Sequence, residues 1–174
     1  MSLLELGYQY QGLVYRGHNP NWRHAPESGE GSAIHGGRWN RVGQQALYTS
    51  ERFETAWLES QQGFAFKTQP LTLCTYEVDC GPILNLCDPD MQERVYPHPD
   101  RWISEAWLNK RQQREPVIGW EIADKLIAMG FAGIRVPSQA HGSANRDVNI
   151  IFWQWSQKPP TKVTVIDTEN RLQQ

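Results

Sequence analysis

Apolar and polar residues follow one another in short runs along this chain, and the period of the runs changes several times. Gly12 to Gly17 reads as a short strand bracketed by glycines. Residues 18–37 are rich in His, Asn, Pro, Gly and Ser, which is loop chemistry; a loop this long inside a compact domain is often functional. Ala46 to Thr49 is a second strand. Ser50 then stands where a helix N-cap belongs, with Glu51 and Glu54 in a first turn whose dipole favours acid. Phe53, Ala56 and Trp57 recur at helical spacing, so this helix is expected over 51 to about 62.

Leu71 to Val78 alternates and is rich in β-formers, and Ile83 to Leu86 makes a short strand after a Gly81-Pro82 turn. Ser104 to Arg114 and Pro116 to Met129 read as helices, the second with Pro116 in its first turn and Gly130 as its C-terminal cap. Phe131 to Val136, Val148 to Trp155 and Lys162 to Ile166 are strands. Strands and helices are mixed without regular βαβ alternation, which predicts an α+β fold: a mixed or antiparallel sheet core with flanking helices in a single domain over 1–174.

Composition narrows the function classes. The 174 residues carry 17 Lys and Arg against 19 Asp and Glu, a net charge of −2, without the basic excess of a nucleic-acid binder. The longest mostly apolar run free of charge, Leu126 to Ile134, is far short of the ~20 residues that span a bilayer. Met1 to Leu6 lacks a basic region followed by an apolar stretch, so a cytoplasmic protein is expected, with no direct partner in nucleic acid or membrane. Cys74, Cys80 and Cys87 are spaced C-x5-C and C-x6-C, unlike the close pairs of structural zinc sites, and read as reduced thiols. The five histidines show no ligand spacing, so no metal is expected. No G-x-G-x-x-G follows a strand, and P-loop, H-E-x-x-H and G-x-S-x-G motifs are absent. Eight tryptophans are many for this length, and the cluster of Trp102, Trp107, Arg111 and Trp120 reads either as core-packing helix stripes or as a protein contact.

What remains is a set of polar residues in apolar strand or helix contexts: Arg16 in Tyr15-Arg16-Gly17, Arg38 in Gly37-Arg38-Trp39-Asn40, Tyr48 in Tyr48-Thr49-Ser50-Glu51, Glu59 on the following helix, and Ser138 in Arg135-Val136-Pro137-Ser138. Each alone has an ordinary reading as a surface, strand or turn residue. With Ile83-Leu84-Asn85-Leu86 and Asn149-Ile150-Ile151-Phe152 they form an ordered series over residues 12 to about 155, and this series resembles the RES domain, a family named for its Arg, Glu and Ser. The resemblance implies a fold similar to ADP-ribosyltransferases and a toxin of a bacterial toxin–antitoxin pair that consumes NAD as its substrate. It also implies a separately encoded antitoxin of the Xre helix-turn-helix type, and a homodimer is expected.

The residue types suit that chemistry. Cleavage of the nicotinamide–ribose bond passes through an oxocarbenium-like state with a neutral leaving group, and a carboxylate beside the ribose stabilises the developing positive charge. Glu59 is the acid of the series for that task. Arginine forks match a pyrophosphate, which assigns Arg16 and Arg38 to NAD binding, with one of them also orienting Glu59. Tyr48 offers a ring for stacking and a hydroxyl for a second contact; Ser138 offers a donor to a phosphate or to Glu59. Gly36 and Gly37 would let backbone approach the ligand. Arg38, Tyr48 and Glu59 are the expected catalytic residues, and Arg16 and Ser138 complete the NAD site. Asn149 ranks below them as a turn brace, and Glu51 as a helix-start residue. Water, phosphate or a protein remains open as the acceptor, so the alternatives are a mono-ADP-ribosyltransferase and a non-catalytic protein-binding module.

Overall fold

A computed structural model describes residues 1–62 and 69–174. Its strands are β1 (Tyr8–His18), β2 (Leu47–Ser50), β3 (Thr72–Asn85), β4 (Gly133–Pro137), β5 (Val148–Phe152) and β6 (Thr161–Val165). Its helices are α1 (Glu30–His35), α2 (Phe53–Ser60), α3 (Pro89–Val95), α4 (Asp100–Ile103), α5 (Trp107–Gln113) and α6 (Ile118–Ala128). The sheet order is β1-β2-β5-β4-β3-β6, and β1 also pairs with β3. Of these strands, among the described residues, β3 and β4 pair parallel and the other strand pairs are antiparallel. The expected α+β class with a mixed sheet is what the chain adopts.

The strands close on themselves through β3. Its first half, Thr72 to Cys80, pairs with β1, and Tyr76 to Cys80 also pair with β6. Its last residues, Ile83 to Asn85, pair with β4. β1 pairing continues to Ile83, and on the other edge the change of partner from β6 to β4 falls at Gly81-Pro82, where a proline costs no ladder hydrogen bond. The Gly-Pro pair therefore bends one long strand instead of separating two.

Period-two alternation sorts the side chains. Val14, Leu47, Tyr76, Val78, Ile83, Ile150, Phe152 and Val163 share an inner core between the two halves of the sheet. Leu84, Leu86, Ile134, Val136 and Ile151 point the other way, into a second core built with Ile118, Ile122, Ala123 and Leu126 of α6 and with Trp102. Apolar residues one turn apart on α6 give it a continuous buried stripe.

Several local expectations are corrected. Ser50 ends β2 instead of capping a helix, and α2 begins at Phe53 with Arg52 at its N-cap. The loop over 18–37 contains α1 and a one-turn 3-10 helix, Pro20–Trp22. The helix expected over Ser104 to Arg114 is shorter, since α5 starts only at Trp107; α4 before it was not expected, and buried Glu105 lies in the turn between the two. Helix α3 was not expected, although Asp88-Pro89 announces it: the Asp88 carboxylate accepts from Asp90 N at 2.9 Å, with proline at the first helical position.

Candidate active site

A cleft of about 670 Å³ opens on the helix-facing side of the sheet. Its floor follows from register. Tyr48 pairs with Ile151, Ser50 with Asn149, and Asn149 with Val136 on its other side, so these side chains stand on one face of β2, β5 and β4. Arg16, Arg38, Tyr48 and Glu59 all line the cleft, brought from β1, the loop before β2, β2 and α2. Trp102, Ile103, Trp107 and Leu108 form an apolar wall.

Glu59 is the penultimate residue of α2 and reaches back to the β4–β5 hairpin. Its Oε1 accepts from Ser138 Oγ at 2.6 Å and from Asn149 Nδ2. Ser138 itself is buried beneath the carboxylate, and its oxygen also accepts from Ala140 N at 3.2 Å. Of the two expected roles for Ser138, the bond to Glu59 is the one observed. Asn149 is more than a turn brace. The same hairpin is pinned a second time on α2, where buried Thr55 donates to Asp147 Oδ1 at 2.5 Å. Thr55 and Glu59 are four residues apart and therefore share a helix face.

Arg38 is held through its main chain. The Gly37 carbonyl accepts from Trp120 Nε1 at 2.7 Å and the Trp39 carbonyl from Trp153 Nε1 at 2.9 Å. A Cβ at Gly119 would lie 2.3 Å from the Arg38 carbonyl oxygen, so only glycine lets α6 approach this loop. Buried Asn40 ties the loop down with Nδ2 bonds to the Ser32, Arg41 and Gln44 carbonyls. The Arg38 side chain lies in a half-buried position with one long bond, 3.4 Å, from Nη1 to the Trp102 carbonyl. Burial lowers its pKa, and the carboxylates of Glu105 and then Glu59 oppose that shift. Glu105 is itself buried: its oxygens accept from Lys110 Nζ (2.8 Å) and from the first N–H groups of α6 at Ile118 (2.9 Å) and Gly119 (3.2 Å).

The Tyr48 ring lines the cleft, but its hydroxyl is engaged in the loop. It accepts from Trp39 N at 3.0 Å and donates its one proton to Asn40 Oδ1 at 2.7 Å. A Cβ at Gly37 would meet that hydroxyl at 2.3 Å. Gly37 is thus required by the tyrosine, a closer demand than the ligand approach expected of it. Burial pushes the phenol pKa up. Arg16 gives Nη1 to the Pro26 and Ser28 carbonyls (3.0 and 3.3 Å), which fastens the 18–35 segment to β1.

Glu51, expected at a helix start, instead forms a two-point pair with Arg135 (2.6 and 3.0 Å) outside the cleft. Sequence reasoning quoted Asn40 and Trp120 without their roles and missed Gly119 and Trp153; Asn40 acts within its own loop, the other three at a distance in sequence. A buried indole must place its N–H, but the partner is not written locally. Among the described residues no three His, Cys, Asp or Glu gather as metal ligands, and no helix is long and apolar enough to cross a membrane.

Fold and cleft together define an α+β domain in which one carboxylate, fixed by two side-chain donors, shares a half-open pocket with two guanidiniums and an aromatic ring. The RES domain family model matches residues 13–173, and the chain belongs to that family. Its fold is similar to that of the MbcT toxin in the crystal structure of the M. tuberculosis MbcT–MbcA toxin–antitoxin complex, with a TM-score of 0.66 at 20% identity over 92% of this chain and 84% of that one. No curated protein matches the chain.

Proposed function

We propose that this protein is the toxin of a toxin–antitoxin pair and that it cleaves the nicotinamide–ribose bond of NAD, with Arg38, Tyr48 and Glu59 as its catalytic residues and Arg16 and Ser138 completing the substrate site. Membership of the RES family and the fold shared with a toxin known in complex with its antitoxin support the toxin reading. The observation that carries the chemistry is the meeting of Arg16, Arg38, Tyr48 and Glu59, scattered over more than forty positions, in one cleft of dinucleotide size.

In this reading the ribose lies against Glu59 and the pyrophosphate against the guanidiniums. The bond from the ribose anomeric carbon to the nicotinamide nitrogen breaks, its electron pair stays on nicotinamide, and the base leaves neutral. Glu59 stabilises the cationic ribosyl carbon, and an acceptor oxygen then bonds to that carbon, a water acceptor releasing its extra proton to solvent. Tyr48 supplies a ring surface, and its hydroxyl holds the Arg38 loop. Positioning and preorganised charge supply the rate, with no covalent enzyme intermediate. The partner in this reading is an Xre-type helix-turn-helix antitoxin, which restrains NAD consumption in the cytoplasm.

Mass spectrometry of the products formed from NAD, with and without inorganic phosphate, tests the proposal. Nicotinamide with ADP-ribose supports hydrolysis, and nicotinamide with ADP-ribose 1″-phosphate supports phosphorolysis. Label transferred to a protein supports the transferase reading, and unchanged NAD overturns cleavage.

A further inference from the structure

Both donors on Glu59 reach the same oxygen, Oε1, and Oε2 has no hydrogen-bond partner among the described residues. A carboxylate only accepts, so the Asn149 arm facing it must be the Nδ2 amide group. The other arm, Oδ1, then faces Ser50, whose Oγ lies 2.7 Å away. An amide oxygen also only accepts, so the Ser50 hydroxyl must donate. Every proton of this chain therefore points towards Glu59: from Ser50 to Asn149, and from Asn149 to the carboxylate. Ser50 is 2% exposed although it borders the cleft, so in the intact protein Asn149 Oδ1 is served by the hydroxyl and not by bulk water.

We infer that Ser50 is a positioning residue for Glu59, acting through the Asn149 amide, and that this relay leaves Oε2 as the one carboxylate oxygen presented to substrate. The inference rests on the proposed role of Glu59 but concerns a residue that makes no hydrogen bond to the carboxylate itself. Ser50 stands one strand away, at the register position opposite Asn149. Without its hydroxyl the Asn149 Oδ1 is left unpaired, the amide is free to rotate, and Oε1 loses one of its two donors. The carboxylate then has a second way to turn, and Oε2 no longer holds one direction.

The test is a double-mutant cycle on the full chain, read in two ways. Ser50→Ala is expected to lower kcat for NAD about tenfold with KM nearly unchanged. Asn149→Ala is expected to lower kcat at least as far, and the double variant no further than Asn149→Ala alone, because Ser50 acts through Asn149. A role in folding alone moves the melting temperature without that kinetic pattern. The second readout is solvent exchange of the Asn149 side-chain amide protons by NMR. They are expected to be protected in the wild type and exposed in Ser50→Ala, while the β5 backbone amides stay protected. Wild-type kcat in Ser50→Ala, or additive losses in the double variant, overturns the relay. Unprotected amide protons in the wild type overturn it too, and that result stands even if the protein turns over no NAD, an outcome that defeats the cleavage reading instead.

Discussion

Glu59 and Arg38 line the same cleft and are held by different means. The carboxylate is fixed side chain to side chain, by Ser138 and Asn149 on the β4–β5 hairpin. The guanidinium is set from behind, by main-chain carbonyls of its loop that bond Trp120 and Trp153 and pack on Gly119. One wall is therefore adjustable without disturbing the core. The other is continuous with the core, so any change that moves it also moves α6. Activity and stability should separate on the glutamate side and travel together on the arginine side.

The largest stability loss is expected at Glu105. Replacing it by Ala removes a buried partner of Lys110 and uncaps two buried N–H groups of α6, at a cost of about 3 kcal/mol. That corresponds to a fall of roughly 6–12 °C in Tm, measurable by calorimetry, and NAD turnover should fall with it. Gly119→Ala should act in the same direction, at about 1–3 kcal/mol, because helix and loop backbone cannot both keep their places. A Gly119→Ala protein with wild-type Tm and turnover would erase the contrast between the walls.

Ser138→Ala probes the opposite wall. It removes one donor to Glu59 and one acceptor for Ala140 N, so stability should fall by only about 1 kcal/mol while kcat falls about tenfold. Tyr48→Phe sharpens the comparison, since its ring serves the cleft and its hydroxyl serves the loop. It should cost about 1–2 kcal/mol by leaving Trp39 N unpaired, with KM for NAD changed less than kcat.

The smallest effect concerns pH, on the β1 side. Neither ring nitrogen of His18 has a partner among the described residues, and burial, reinforced by Arg16, lowers its pKa from 6.5 to about 4. A folded value below the unfolded one favours the neutral ring, so this stability is present above pH 6.5 and is lost as the pH falls towards 4. Urea midpoints should therefore drop from about pH 7.5 to about pH 5, and His18→Gln should flatten part of that drop.

The two walls were also unequally legible in the sequence. Short apolar, β-forming runs located β1, β2, β4 and β5, and with them the strand contexts of Arg16 and Tyr48 and the turn of Ser138 just after β4, while the family resemblance singled those three residues out. Helical spacing likewise put Glu59 on a helix. What could not be read is long-range pairing. Trp120 and Trp153 meet a loop more than eighty residues earlier, and Glu105, in the turn between α4 and α5, reaches the start of α6. Ser50 shows the same limit: its position before an acidic turn resembles an N-cap, but register against Asn149 overrides that preference. Gly81-Pro82 has the composition of a turn, yet it lies where β3 exchanges partners, a fact that only the assembled sheet contains.

The most direct measurement is the rate of nicotinamide release from NAD by Glu59→Gln against wild type, with Tm recorded for both. Two donors compete for Oε1, so the glutamine oxygen will take that place and turn its amide group towards the substrate, where an acceptor is needed. The account predicts a loss of at least about 100-fold at unchanged Tm. Release at the wild-type rate by a folded Glu59→Gln protein would contradict it.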